Sequence, residues 1–155
     1  MSAPTGAPAP RFTLRDQHGV ETAVGGESGD GRATLVVFYP FAFSSVCGSE
    51  LAALRDAAGE FETGRVRLVA VSCDPMHTLR RYADDEKFGF PLLSDFWPHG
   101  AAARTYGVFD EARGCAGRGS FLIDQDGVLR WSLVNPITEA RPLAAYREAL
   151  ANAGL

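Results

Sequence analysis

Two largely apolar segments constrain the fold of this chain more than any other feature. The first is Ala33–Tyr39, which directly precedes Pro40, and the second is Val66–Cys73, in which Arg67 is the one charged residue. Apolar runs of this length are typical of strands covered on both faces by helices. Cys47–Glu62, which lies between them, has apolar residues at three- and four-residue intervals and predicts an amphipathic helix. A right-handed crossover then places the two strands side by side and parallel.

The rest of the chain extends this unit into an α/β layered sheet. Phe12–Arg15 and Val20–Val24 flank a turn at Asp16–Gly19 and predict a hairpin. The remaining pattern predicts helices over Met76–Phe88, Ala101–Tyr106 and Leu143–Ala153, and strands over Pro91–Asp95, Val108–Phe109, Arg118–Ile123 and Val128–Val134. No internal repeat or change in composition marks a second domain. We therefore expect one domain over residues 1–155, with residues 1–10 as a flexible lead-in.

Composition excludes several classes of function. The net charge of −4 offers a nucleic acid or an anionic membrane no large electrostatic attraction. The first ten residues lack the basic and apolar regions of a signal peptide. The longest apolar run, Leu35–Phe43, has nine residues and is too short to span a bilayer. We therefore expect a cytoplasmic protein with neither a nucleic acid nor a membrane as its partner.

The chain has three cysteines, Cys47, Cys73 and Cys115, and their odd number and wide spacing favour a reducing compartment over a disulfide framework. Cys47 begins the predicted helix that follows the first buried strand, and function concentrates at such strand ends. A helix N-terminus stabilises a thiolate through its dipole and its free N–H groups. The alternative is that Cys47 is a small buried hydrophobe. Glu50 occupies the position of a second cysteine, so a Cys-x-x-Cys dithiol is excluded.

The segment around Cys47 resembles a known family. Pro40-x-x-x-Ser44-x-x-Cys47 is similar to the peroxiredoxin motif of proline, threonine or serine, and cysteine. The stretches APRFTLRDQHG, FPLLSDFWPHGAAARTYGVFDE and GRGSFLIDQDGVLRW resemble the family's opening hairpin, middle and arginine-bearing strand pair. FWPHG is most similar to the AhpE-type branch of alkyl hydroperoxide reductases. The resemblance implies a thioredoxin-like three-layer fold, with a central mixed sheet flanked by helices and an N-terminal hairpin.

The resemblance also implies a reaction, in which a thiolate attacks one peroxide oxygen and hydroxide or alkoxide leaves. A free thiol with a pKa near 8.5 is only about 5–10% ionised at neutral pH, so complete ionisation gains about 10- to 20-fold. Peroxidase rates therefore need donors aimed at both oxygens in the transition state. By resemblance, Ser44, Arg118 and the Cys47 N–H are these donors, and Pro40 shields the pocket without adding a donor. Without the motif, Ser44 would be read as a helix cap and Arg118 as a surface residue.

Further residues have two possible roles. Glu50 either orients an arginine near the site or is an exposed helical glutamate. Phe41, Phe43, Phe96 and Trp97 either form an apolar rim that admits organic hydroperoxides or belong to the core. The corresponding region forms a dimer contact in related proteins, so a homodimer is expected.

Attack on peroxide leaves a sulfenic acid at Cys47, which a thiol must resolve. No cysteine follows Cys115, and Ala52 occupies the resolving position that another branch uses within the helix. Cys73 ends a buried strand and is expected to be structural, whereas Cys115 is a candidate resolving or relay thiol. The main hypothesis is a one-cysteine mechanism, completed by an external thiol or a glutaredoxin- or mycoredoxin-like protein.

A different class of function shares the first step. A redox sensor or relay would use oxidation of the same cysteine to change the state of a partner protein.

His18, His77 and His99 are scattered, and Cys73 has no nearby set of ligands, so neither a metal site nor a cofactor is expected.

Overall fold

The two apolar runs form neighbouring parallel strands, as the sequence predicts. A computed structural model describes residues 4–155, in which β3 (Ala33–Phe38) pairs with β4 (Val66–Ser72) and Ala33 lies opposite Val66. The other strands are β1 (Phe12–Arg15), β2 (Glu21–Val24), β5 (Leu92–Ser94), β6 (Phe109–Asp110), β7 (Cys115–Ala116), β8 (Arg118–Ile123) and β9 (Leu129–Asn135). The helices are α1 (Ser45–Asp56), α2 (Ala58–Phe61), α3 (Met76–Glu86), α4 (Ala101–Thr105) and α5 (Leu143–Asn152).

Seven strands form a mixed sheet in the order β2-β1-β5-β4-β3-β8-β9. β3, β4 and β5 are parallel, while β8 and β9 continue the sheet in antiparallel pairing. The short pair β6–β7 stands apart from this sheet. Because the parallel strands end at the same edge, the loops after β3, β4 and β5 lie next to each other.

The sheet has a hydrophobic core on each face. Leu35 and Val37 of β3 pack in one core with residues of α1, α3 and α5. Val36 and Phe38 alternate with them and pack in the other core, to which α4 contributes. Every residue of β3 is buried, so the apolar run reflects a strand covered on both faces. The thioredoxin-like three-layer arrangement is thereby confirmed.

The helix predicted over Cys47–Glu62 is two helices. α1 begins at Ser45, and Ala57, with φ −104° and ψ 18°, separates α1 from α2. Gly59 follows within two residues, and glycine has a low helix propensity. None of the helices within residues 4–155 has the length and apolar character needed to cross a membrane.

The start of the described chain is part of the fold rather than a flexible lead-in. Pro8 forms a bridge with Val128, and the Ala9 N–H donates to the Gly127 carbonyl at 2.8 Å. Gly6 and Leu129 add further backbone hydrogen bonds, and Ala9 is buried. Gly6–Ala9 are thus held by backbone pairing, which requires no periodic pattern of side chains in the sequence. Residues 1–3 lie outside the described residues.

Candidate active site

The loop after β3 and the first turn of α1 position Cys47. The chain leaves the sheet at Tyr39, passes buried Pro40 and enters α1 at Ser45, so Cys47 is its third residue. The Cys47 side chain is fully buried. The N–H groups of a first helical turn have no partner within the helix and lie at its positive end. Cys47 therefore lies at the positive end of α1, next to N–H groups that are free to bind a ligand oxygen.

Asp74, which follows β4, holds this loop against the sheet. Its Oδ2 accepts hydrogen bonds from the Ala42 N–H at 2.8 Å and from the Ser72 hydroxyl at 2.7 Å. The Ser94 hydroxyl donates to the Asp74 carbonyl at 2.6 Å, so β5 is tied to the same point. The sequence analysis did not select Asp74, because a lone Asp after a strand is a common turn residue.

Ser44 occupies the N-cap position of α1, but its side chain does not cap the helix. Its hydroxyl donates to the Phe41 carbonyl at 3.0 Å, and no cap hydrogen bond forms. The helical hydrogen bond from the Gly48 N–H ends on the Ser44 carbonyl at 2.8 Å. The Ser44 hydroxyl therefore lies at the start of α1. Its oxygen can accept a further hydrogen bond, and its O–H can turn from the Phe41 carbonyl to another acceptor.

A buried carboxylate on α1 binds two buried arginines. Glu50 lies one turn after Cys47 on α1, and the Arg118 Nη1 donates to its Oε1 at 2.6 Å. Arg141 donates to Glu50 through Nε at 2.9 Å, Nη2 at 3.0 Å and its backbone N–H at 2.5 Å. Arg118 and Arg141 are only 2% and 4% exposed. One negative and two positive charges leave a net positive charge inside the protein.

Glu50 stays ionised despite its burial. Burial acts to raise the pKa of Glu50, but the hydrogen bonds from Arg141 and the charges of both arginines outweigh it, and the pKa is lowered. Glu50 is therefore not an exposed helical glutamate, because it is buried and its carboxylate binds two arginines. Arg141 is a residue that the sequence analysis missed, because it sits in no motif and the chain has fourteen arginines.

Two of the three nitrogens of the Arg118 guanidinium form hydrogen bonds, and these bonds fix its position. Nε donates to the Ile137 carbonyl at 2.6 Å, and Nη1 binds Glu50. Nη2 has no hydrogen-bond partner within residues 4–155. A planar guanidinium held at two nitrogens presents its third nitrogen in a defined direction, which suits it to bind an oxygen of a ligand.

The four aromatic residues expected at the rim are exposed, but they form two groups. Phe41 and Phe43 belong to the loop before α1, and Phe43 adopts φ 67° and packs on Tyr82 at a ring distance of 4.7 Å. Phe96 and Trp97 follow β5 and line a separate hollow with Pro75, Met76 and His77 at the start of α3, and with the β1–β2 hairpin. Of these four, only the first two lie in the loop that leads into α1 and Cys47.

Cys73 and Cys115 are free and buried, like Cys47. Burial raises the pKa of Cys73 to about 12, and nearby Asp95 adds to the effect. Burial likewise raises the pKa of Cys115 to about 11, with a contribution from Asp110. Both thiols are therefore protonated at neutral pH, and a protonated thiol is a poor nucleophile. Within residues 4–155, no three His, Cys, Asp or Glu side chains are grouped so that they could hold a metal ion.

The fold and the cysteine site define a class of protein, the thiol peroxidases. The chain belongs to the AhpC/TSA family, whose model matches residues 5–132. It is thus a peroxiredoxin.

Among its relatives is the protein named alkyl hydroperoxide reductase E from Mycobacterium tuberculosis. That protein is 43% identical over 146 residues, covering 94% of this chain and 95% of its own. Among solved structures, Mycobacterium tuberculosis peroxidoxin BcpB is 28% identical with a TM-score of 0.77, covering 95% of this chain and 94% of its own. Enterococcus faecalis AhpC is 26% identical with a TM-score of 0.84, covering 99% and 93%.

Proposed function

We propose that this peroxidase reduces hydrogen peroxide and organic hydroperoxides with Cys47, and that an external thiol completes the cycle. The observation that carries the proposal is the position of Cys47 in the first turn of α1. From there, Glu50 on the next turn holds the Arg118 guanidinium. A nucleophile, a fixed positive charge and free backbone N–H groups thus occupy one small region.

In the proposed reaction, the Cys47 thiolate attacks one peroxide oxygen. A sulfur–oxygen bond forms as the oxygen–oxygen bond breaks, and the second oxygen leaves as hydroxide or alkoxide and takes up a proton. The Nη2 of Arg118, the Ser44 hydroxyl and the Cys47 N–H are the proposed donors to the two oxygens. Pro40 is buried, has no N–H and shields the pocket. The net positive charge of the Arg118–Glu50–Arg141 group supports negative charge in the transition state.

Organic hydroperoxides are included because exposed aromatic residues precede the helix that carries Cys47. Phe41 and Phe43 are large exposed hydrophobic residues in the loop that leads into α1. An alkyl group that contacts these rings loses exposure to water, which favours its binding. Phe96 and Trp97 take part only if the hollow that they line extends to this loop. Faster turnover of cumene hydroperoxide than of hydrogen peroxide would support this specificity.

An external thiol is proposed as reductant because the two other thiols are poor nucleophiles. Both are buried, and the pKa of each is raised well above neutral pH. A glutaredoxin- or mycoredoxin-like protein, or a small thiol, would attack the Cys47 sulfenic acid instead. The reaction is proposed to take place in the cytoplasm, where three free cysteines remain reduced.

A homodimer is proposed in which the segment after β5, which carries Phe96 and Trp97, forms the contact. Trp97 is 80% exposed and Phe96 is 47% exposed. Aromatic residues are enriched at the centres of protein interfaces, where they are removed from water.

Stopped-flow oxidation by hydrogen peroxide tests the proposed function. The wild type and the matched variants Cys73→Ser and Cys115→Ser should react at similar rates, whereas Cys47→Ser should not react. Fast oxidation that survives Cys47→Ser would contradict the proposal.

Mass spectrometry after one equivalent of peroxide should show one added oxygen at Cys47, and an internal Cys47–Cys115 disulfide would contradict the one-cysteine mechanism. Repeated turnover with a small thiol distinguishes the enzyme from a sensor that stops after one cycle.

A further inference from the structure

The Tyr82 hydroxyl on α3 is a buried group whose proton has no acceptor. The residue is 1% exposed, and its O–H donates no hydrogen bond to a group within residues 4–155. Buried side-chain hydroxyls are nearly always paired, because an unpaired one loses its bonds to water without replacing them. The Tyr82 O–H is therefore available to donate to an acceptor placed beside it.

This hydroxyl lies beside the first turn of α1. A Cβ atom built on Gly48, the residue after Cys47, would lie 3.8 Å from Tyr82 Oη. The Tyr82 ring packs on Phe43 at 4.7 Å and on Phe88 at 5.1 Å, so its direction is fixed. The hydroxyl forms no hydrogen bond to the Cys47 sulfur itself.

The electrostatic interaction between Tyr82 and Cys47 also indicates that the two residues are close. Burial raises the pKa of Tyr82 to about 12, a negative charge at Cys47 would raise it further, and a hydrogen bond from the Phe43 N–H acts in the opposite direction. Tyr39 has a second unpaired buried hydroxyl, and burial raises its pKa as well. For Tyr39, however, the interactions with Ser72, Asp74 and Tyr82 all exceed the effect of Cys47. Of the two unpaired hydroxyls, that of Tyr82 is therefore the one more closely coupled to Cys47.

We propose that the Tyr82 hydroxyl donates a hydrogen bond to the oxygen that Cys47 acquires when it becomes a sulfenic acid. This inference rests on the proposed function, which supplies that oxygen from the peroxide. The oxidised side chain then has a hydrogen-bond donor from α3. Tyr82 acts here as a positioning residue for the oxidised state.

The hydrogen bond has a consequence for the next step of the cycle. The reductant thiolate attacks the Cys47 sulfur, a sulfur–sulfur bond forms, and the sulfur–oxygen bond breaks. The oxygen leaves as hydroxide and takes a proton from solvent to become water. A donor aimed at this oxygen stabilises the negative charge that grows on it, and it also stabilises the ionised sulfenate.

The experiment compares Tyr82→Phe with two matched variants of the full chain. Tyr39→Phe removes the other unpaired hydroxyl, and Tyr106→Phe removes a hydroxyl that donates to the Pro10 carbonyl at 2.6 Å in the opposite core. Each protein receives one equivalent of hydrogen peroxide, and mass spectrometry verifies the sulfenic acid at Cys47. Dithiothreitol then reduces it in a stopped-flow instrument. A parallel series with excess hydrogen peroxide measures overoxidation against pH.

Tyr82→Phe should slow reduction by dithiothreitol about 10-fold, the effect of losing one hydrogen bond to a charged oxygen. The pH profile of its overoxidation, which reports ionisation of the sulfenic acid, should move upward by about one pH unit. Tyr39→Phe should match the wild type in both measurements. Tyr106→Phe should lower the melting temperature, because it loses a paired hydrogen bond, and leave the pH profile in place.

Equal behaviour of Tyr82→Phe and Tyr39→Phe would overturn the inference, as would an unchanged pH profile in Tyr82→Phe. In either case a wild type that forms the sulfenic acid leaves the proposed function standing. Absence of a sulfenic acid at Cys47 in the wild type would overturn both.

Discussion

The Glu50 carboxylate accepts hydrogen bonds from two arginines that lie far from it in the sequence. Arg118 begins β8, and Arg141 directly precedes Pro142 and α5. Because both guanidiniums are buried, removing the carboxylate charge would leave two positive charges without a counterion. The unpaired charges, rather than the lost bonds themselves, make such a change costly.

Glu50→Gln should lower the free energy of unfolding by about 3–5 kcal/mol, the usual cost of breaking a buried ion pair on one side. Glu60→Gln is the matched control, because Glu60 pairs with Arg147 on the surface and its loss should change stability little. Urea denaturation at pH 7 measures both. Equal stability of the two variants would show that the buried group does not depend on the Glu50 charge.

The difference in stability between the wild type and Glu50→Gln is expected to depend on pH. The pKa of Glu50 is lower in the folded than in the unfolded protein, so its ionisation stabilises the fold above the unfolded pKa. This contribution is lost as the pH falls through the folded pKa, below about 4.3, the ordinary value for Glu. The wild type should therefore lose stability in acid more steeply than Glu50→Gln in urea denaturation between pH 3 and 7. Parallel curves would contradict the assignment.

At the level of secondary structure, β8 and β9 meet the start of the chain at one turn. Asp124 Oδ1 accepts hydrogen bonds from the N–H groups of Asp126 and Val128 and so closes this turn. Gly127 has φ 85°, and a Cβ there would lie 2.7 Å from the backbone of Gly26. Gly127 therefore combines a left-handed conformation with close packing, whereas Gly114 has φ 68° and open space.

Gly114→Ala should lower the free energy of unfolding by about 1 kcal/mol, because an L side chain is strained at positive φ. Gly127→Ala should lower it by about 1–3 kcal/mol more, since the added methyl group also collides with backbone. Thermal and urea unfolding of both variants measure the difference. Equal effects would mean that the turn shifts freely away from Gly26.

Periodicity predicted those elements whose burial is uniform along their length. β3 and β4 were predicted within one residue at each end, because continuous burial on both faces produces a largely apolar run. The interruption at Ala57 was not predicted, since α1 and α2 both place apolar residues in the same core. The pairing of Pro8 with Val128 was not predicted either, because it depends on backbone atoms of a residue that lies 120 positions away in the sequence.

At the level of the whole molecule, those residues of the candidate site that lie together in one short segment could be predicted from the sequence. Pro40, Ser44 and Cys47 share one loop and helix start, so a motif includes them together. Arg141 lies 91 residues after Glu50, and no local pattern connects the two. Tyr82 is apolar in its helical pattern, and only the packed structure shows that its hydroxyl proton has no acceptor and that it lies beside Gly48.

The assembly of two chains is the property that depends on the whole surface. Trp97 follows β5 and is 80% exposed, and Val134 on β9 is exposed at the far edge of the same sheet. Trp97→Ala should raise the dissociation constant of the proposed homodimer about 10-fold or more, because a central aromatic residue contributes much of the binding energy. Val134→Ala should leave it unchanged. Sedimentation velocity over a concentration series measures both, and dissociation by Val134→Ala alone would place the interface at the β9 edge.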